Sequence, residues 1–277
     1  MLINIFWGIL LIFLLPNQGG AVVMGKIPIA VTIMPQVYFV ERLGGNHVDV
    51  MVMIPKGVSP ETYEPTPRQL ISLSKARIYV KIGQDVFPAE KKYLNILDKN
   101  DAKVKVVSFN ESIKHLKDDP HIWLSPSAVK KLSQEIYQTL VQIDPVHKHF
   151  YEGNLLLFLK DIEDMERRIR AILAGKEGKT FLVYHPAWGH FAAEFGLKQL
   201  AIEKEGKPVS ASGLRKIIDT AKDKEINVVF VQKGFDTKSA RSVALELKGK
   251  IIETDPLEKD WLNNLKNFAE ILRDTLR

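Results

Sequence analysis

Residues 145–174, PVHKHFYEGNLLLFLKDIEDMERRIRAILA, carry apolar side chains at Phe150, Leu155, Phe158, Ile162, Met165, Ile169 and Ile172, mostly three or four positions apart with charges between them. That period is the signature of a helix with one buried face. At 1.5 Å per residue the stretch spans about 45 Å, longer than an ordinary globular helix and long enough to run from one domain into another. What it joins is decided by its flanks.

Upstream, from Lys26, short β-branched runs alternate with helical stretches: Ile27 to Val31, a helix opened by Pro35, Val48 to Ile54, a helix begun by Thr66-Pro67, the strands Ala76 to Ile82 and Val104 to Phe109, and a helix begun by Ser125-Pro126. Thr-Pro and Ser-Pro each set an N-cap before a first-turn proline. Downstream of Gly178 the alternation restarts with strand Thr180 to Tyr184, helix Ala187 to Phe195, strand Gln199 to Ile202 and helix Gly213 to Lys222. It continues with strand Val228 to Gln232, helix Lys238 to Leu247, strand Ile251 to Thr254 and a terminal helix from Asp260. Alternation of this kind builds parallel sheets. The expected fold is α/β, with parallel-sheet lobes at 26–144 and 178–277 bridged by one long α-helix over 145–174.

A chain of 277 residues with 45% hydrophobic content can supply real cores for two such lobes. It contains no cysteine, which removes disulfides, CxxC redox chemistry and thiolate metal sites together. A metal site must then use histidine and carboxylates. The net charge of +6 is modest, and acids and bases alternate through Lys160 to Arg170, so the footprint of a nucleic-acid binder is missing. Leu2 to Leu15 is an apolar run too short to span a bilayer, followed by Pro16-Asn17-Gln18-Gly19-Gly20-Ala21. Residues 1–21 read as a signal peptide cleaved after Ala21. With no cysteine to acylate, a soluble periplasmic protein is expected rather than a lipoprotein.

Open parallel sheets bind ligands beyond the carboxyl ends of their strands. His185 directly follows the strand ending at Tyr184, and Asp255 follows the strand ending at Thr254. In the first half, His121 sits in the proline-stiffened loop Asp119-Pro120-His121-Ile122-Trp123-Leu124-Ser125-Pro126. Glu61 sits in Val58-Ser59-Pro60-Glu61-Thr62-Tyr63-Glu64-Pro65-Thr66-Pro67, where Glu64 is a competing carboxylate. Two histidines and two carboxylates converging there, in the cleft between the lobes, would suit a divalent first-row metal such as Zn, Mn or Fe. Taken singly each has a plainer reading: structural histidines, solvated glutamates, and an Asp255 that stabilises the turn before Pro256. Tyr63, Trp123, Tyr184 and Trp188 read as packing residues, and His190 as a cleft-edge or packing residue. His47, His115, His147 and His149 read as solvent-exposed.

At these loops the sequence resembles the metal-binding ABC-importer proteins of the zinc and manganese family, often called cluster A-I or cluster 9, from about Lys26 to the C-terminus. The resemblance is carried by Gly57 to Pro67, Asp119 to Pro126 and His185-Pro186-Ala187-Trp188-Gly189-His190-Phe191-Ala192-Ala193-Glu194-Phe195-Gly196-Leu197. It implies two α/β lobes with the metal between them, and ligand roles for His121, His185 and Asp255. The family usually has histidine where Glu61 stands, so the implied set becomes Glu61, His121, His185 and Asp255. The long His- and acid-rich loop of many zinc members is absent, because Asn110 to Asp118 is short.

The resemblance implies no catalysis and no catalytic cofactor. It implies a cargo of Zn2+ first, then Mn2+, with Fe2+ acceptable, and delivery by a monomer to the permease and ATPase subunits of an ABC importer. Two other readings share parts of this layout. A helix-bridged receptor for a siderophore or corrinoid would lack four converging small-ion ligands. A mononuclear metallohydrolase would need an open coordination position, and no HExxH, GxSxG or P-loop is present. An adhesin role, described for some relatives, would rest on analogy alone.

Overall fold

The computed structural model describes residues 25–83, 87–99, 103–109, 119–204, 207–234 and 238–276. The apolar leader 1–21 and the whole 110–118 loop, with His115, lie outside the described residues.

The first lobe is a four-stranded parallel sheet of β1 (Ile27–Val31), β2 (Val48–Val52), β3 (Ile78–Val80) and β4 (Lys105–Val107), in the order β2-β1-β3-β4. Its helices are α1 (Met34–Gly44), α2 (Pro67–Leu73), α3 (Pro88–Lys99) and α4 (Pro126–Ile143). Ile29, Ala30 and Val31 are all buried, as expected of a central strand covered on both faces. The bridging helix α5 (Lys148–Ile172) follows a separate 3-10 turn at Pro145–His147. It buries Tyr151, Leu155, Phe158, Ile162, Met165 and Ile169, alternately four and three residues apart. At 25 residues it is about 37 Å long, shorter than the sequence period suggests because Pro145 opens its own turn.

The second lobe holds β5 (Thr180–Val183), α6 (Gly189–Glu194), β6 (Lys198–Ala201), a two-stranded ribbon β7 (Glu203–Lys204) and β8 (Lys207–Pro208), α7 (Ala211–Asp223), β9 (Val228–Gln232), α8 (Lys238–Glu246), β10 (Lys250–Thr254) and α9 (Trp261–Thr275). Its main sheet is parallel in the order β10-β9-β5-β6. Numbered within each lobe, both sheets have the order 2-1-3-4, so the two halves share one topology. The order reverses between the first and third strands of each sheet, where open sheets place ligands. The sequence reading missed α3, although Ala89, Tyr93 and Leu97 are buried along one face at spacings of four, and it missed the β7–β8 ribbon.

One hydrophobic core runs through both lobes. Phe39 of α1 meets Phe158 of α5 at 6.2 Å and Trp261 of α9 edge-on at 5.2 Å, while Phe268 of α9 stacks on Trp188 at 3.7 Å. Two hydrogen bonds fasten the same junction. The Trp261 indole donates to the Trp123 carbonyl at 2.7 Å, and the Trp123 indole donates to the Pro256 carbonyl at 2.8 Å. Glu194 of α6 accepts from Ser125 and Ser127 at the start of α4, each at 2.8 Å. Trp261 is fully buried, so Trp261→Ala should cost about 3–5 kcal/mol in urea unfolding, and Trp261→Phe less. A loss below about 1 kcal/mol for the alanine variant would contradict a shared core.

Candidate metal centre

The loop that carries Glu61 is held at both ends. Gly57, at φ +82°, turns the chain where a side chain would be strained. At the far end Thr66 and Gln69 form a capping box at the start of α2. Gln69 also accepts from the Tyr63 hydroxyl at 2.7 Å and donates to the Met53 carbonyl at 2.6 Å. Glu61 is thereby aimed inward. Glu64 points away and pairs with Lys92 on the surface, so the structure separates the two candidate carboxylates.

His121 lies in the turn before α4, and Ser125 caps that helix by accepting from the Ala128 N–H. Asp119 Oδ1 binds the backbone N–H of His121 at 3.0 Å and its ring Nδ1 at 2.8 Å. The Asp119 carbonyl is in turn 2.9 Å from His190 Nε2. His185 follows β5 and places Nδ1 3.2 Å from Glu203 Oε2. Each imidazole is thus oriented through Nδ1 by a carboxylate, which leaves both Nε2 atoms toward the cleft.

These atoms converge. His185 Nε2 is 3.2 Å from His121 Nε2 and 3.4 Å from Glu61 Oε1, and one ligand atom of each of the three residues lies within 4.8 Å of the others. Zinc bonds of 2.0–2.1 Å in a tetrahedron require ligand atoms about 3.3 Å apart. The two measured edges match that spacing. The surrounding cavity, walled by Pro60, Phe87, Trp123, Gln232, Pro256 and Leu257, is about 10 Å³, the scale of a single small ion or water.

Asp255 is not in this cluster. It lines an adjoining cavity that shares Gln232 and Leu257 with the first. Its Oδ1 accepts from the Leu257 N–H at 2.9 Å, which is the turn role the sequence allows. Burial raises the Asp255 carboxyl above its ordinary value, with the Leu257 bond opposing and Glu258 adding to the rise.

The charges are tuned against one another. Burial disfavours the His185 imidazolium, but the Glu203 and Glu61 carboxylates outweigh it and push its pKa up to about 9. Burial also raises Glu61, yet the His185 and His121 contacts together hold it below the usual carboxylate range. His121 is lowered, chiefly by burial and also by the charge of His185, against the pull of Asp119. The neutral His121 ring donates from Nδ1 to Asp119, so its Nε2 is a lone pair. A protonated His185 presents its Nε2–H to His121 Nε2 at 3.2 Å and Glu61 Oε1 at 3.4 Å.

Sequence reasoning singled out neither Glu203 nor the orienting role of Asp119. Glu203 comes two residues after β6 ends, so the rule that picked His185 and Asp255 also points to it. Two histidines depart from their sequence reading: His47 and His147 are half-buried and packed against each other rather than solvated. His149 is 95% exposed in its side chain, as expected.

Two lobes of one topology, a bridging helix and a small-ion nest between the lobes define a helix-bridged solute-binding protein. The chain belongs to the family described as "ZnuA: Zinc-uptake complex component A periplasmic", which its residues 29–277 match. It is 26% identical to the high-affinity zinc uptake system protein ZnuA of Bacillus subtilis (strain 168), over 94% of this chain and 89% of that protein. A crystal structure of ZnuA superposes with a TM-score of 0.85 at 38% identity, covering 90% of this chain and 99% of that one. A zinc-bound ZnuA deletion mutant gives 0.84 at 38% identity, over 90% of this chain and 98% of that one.

Because Glu203 and Asp119 hold the imidazoles, Glu203→Gln and Asp119→Asn should each weaken Zn2+ binding by about 10–100-fold. Competition against a chromophoric chelator measures this; wild-type affinity in both variants would remove the orienting role.

Proposed function

We propose that this chain captures one Zn2+ in the cleft and presents it, as a monomer, to the permease and ATPase subunits of an ABC importer. It acts as a carrier, not an enzyme. The observation that supports this most is the convergence of Glu61, His121 and His185 at tetrahedral spacing with both imidazoles already oriented. Zinc uptake by the ZnuA relative and family membership support the cargo and the importer. Zinc outbinds both manganese and ferrous iron at nitrogen and oxygen sites in the usual affinity order; Mn2+ is the second cargo on the resemblance to zinc and manganese carriers, with Fe2+ acceptable.

Asp255 supplies the fourth ligand by leaving its turn bond to Leu257 and swinging through the shared wall at Gln232 and Leu257. Glu61 and the incoming Asp255 neutralise the ion's two charges, while the dry cavity wall keeps competing water out. A siderophore or corrinoid is disfavoured by volume, since pockets for such ligands run to roughly 300–1,000 Å³ against about 10 Å³ here. Residues 1–21 serve as a cleaved export signal that delivers the mature chain to the periplasm, in keeping with its family.

His185 fixes the pH behaviour. Below its pKa of about 9 the ion must expel the Nε2 proton, so zinc entry near pH 7 should release about one proton. Apparent affinity should then climb by about tenfold per pH unit until His185 is already deprotonated. Calorimetry in two buffers of different ionisation enthalpy counts that proton, and no release at pH 7 would contradict the assignment. In the same titrations His121→Ala and His185→Ala should lose more affinity than either supporting-carboxylate variant, and Asp255→Ala should lose less than either histidine variant. Full affinity in both histidine variants would overturn the proposed site.

A further inference from the structure

A second group of metal-ligating side chains lies at the other end of the first lobe. His47 closes a 3-10 turn, Gly45–His47, that follows α1 and leads directly into β2. Asp144 ends α4, and His147 closes the 3-10 turn that leads into α5. One ligand atom from each of the three lies within 4.8 Å of the others.

The cluster is built. The His47 and His147 rings pack against each other, tilted by 34° with centroids 3.9 Å apart, and His47 meets Phe150 at 4.8 Å. Gly45, at φ +53°, passes so close to Phe150 that a Cβ would sit 2.8 Å from its ring, so the turn is shaped to bring His47 there. Asn154 of α5 donates to the Leu43 carbonyl at 3.0 Å and locks the same two elements together.

Asp144 carries the second observation. Its side chain is only 4% exposed. Oδ2 accepts from Tyr151 at 2.7 Å and lies 2.6 Å from His147 Nδ1, while Oδ1 is buried with no hydrogen-bond partner. Burial pushes this carboxyl up, but the Tyr151 and His147 bonds hold it below the usual range, so it is an anion. A buried anionic oxygen without a donor is costly unless a cation or water answers it.

We propose that His47, Asp144 and His147 form a second divalent-metal site, for Zn2+ with solvent in the remaining coordination position. Two imidazoles and one carboxylate are a zinc ligand set with an open place, and His147, 34% exposed, gives the entry. The site begins β2 at its amino end, whereas the cleft lies beyond the carboxyl ends, so about 17 Å of strand separates it from the cleft. A bound ion there staples the turn after α1 to the junction of α4 and α5, at the root of the bridging helix. With three protein ligands it binds more weakly than the cleft.

The test is a Zn2+ titration of the full, untagged, metal-stripped chain by calorimetry. Two equivalents of unequal affinity are expected. The double variant His47→Gln/His147→Gln should lose only the weaker one, and His121→Gln/His185→Gln only the stronger one. A single equivalent in wild type that His121→Gln/His185→Gln abolishes, or a weaker equivalent that survives His47→Gln/His147→Gln, overturns the second site while leaving the cleft reading intact. Should the double variant misfold, histidine NMR of the wild type decides: the His47 and His147 ring resonances move with the second equivalent, and resonances unmoved through two equivalents overturn the proposal.

Discussion

The structure depends on a reciprocal tryptophan lock between its lobes. Trp123, two residues after His121, donates its indole N–H to the Pro256 carbonyl, one residue after Asp255, and its own carbonyl accepts from Trp261. Both rings are buried in a core that Phe39, Phe158 and Phe268 carry from α1 through α5 to α9. A metal site needs its ligands within a fraction of an ångström of their final places. Here the buried Trp123 side chain, two residues from one histidine, is hydrogen-bonded to the backbone beside the most distant carboxylate, so the cleft geometry is inherited from the core.

Within that frame the cleft holds a balance between a proton and a metal ion. Four carboxylates, Glu61, Asp119, Glu203 and Asp255, surround or adjoin two imidazoles. Three of them make the contacts that orient the rings or charge His185. A nest of this sign without a cation would repel itself, and protonated His185 relieves it. The same ring gives up that proton to a cation of higher charge, which lets one arrangement be both stable when empty and ready to bind.

Much of this was legible in the sequence, and the remainder has physical reasons for being hidden. Strand and helix alternation, the long amphipathic helix and the loops of Glu61, His121 and His185 are local patterns with local causes: prolines, caps and apolar period. The partnership of Glu203 with His185 joins residues 18 positions apart across two strands, and no single-chain period reports it. The choice between Glu61 and Glu64 turned on which faces inward, and the Lys92 partner that draws Glu64 outward lies 28 residues away. Likewise His47 and His147 read as solvated because each stands in a polar segment. Their contact comes from α1 and α5 being packed side by side. Asp255 shows the reverse: resemblance implies a ligand, and the local turn that Asp-Pro favours holds it one cavity away.

The most direct measurement is X-ray absorption at the zinc edge on protein carrying one equivalent of Zn2+. The account predicts an all nitrogen and oxygen shell at about 2.0–2.1 Å, with the outer-ring scattering of two imidazoles, one of which disappears in His121→Gln and one in His185→Gln. A shell with no imidazole scattering, or one that neither substitution alters, would contradict it.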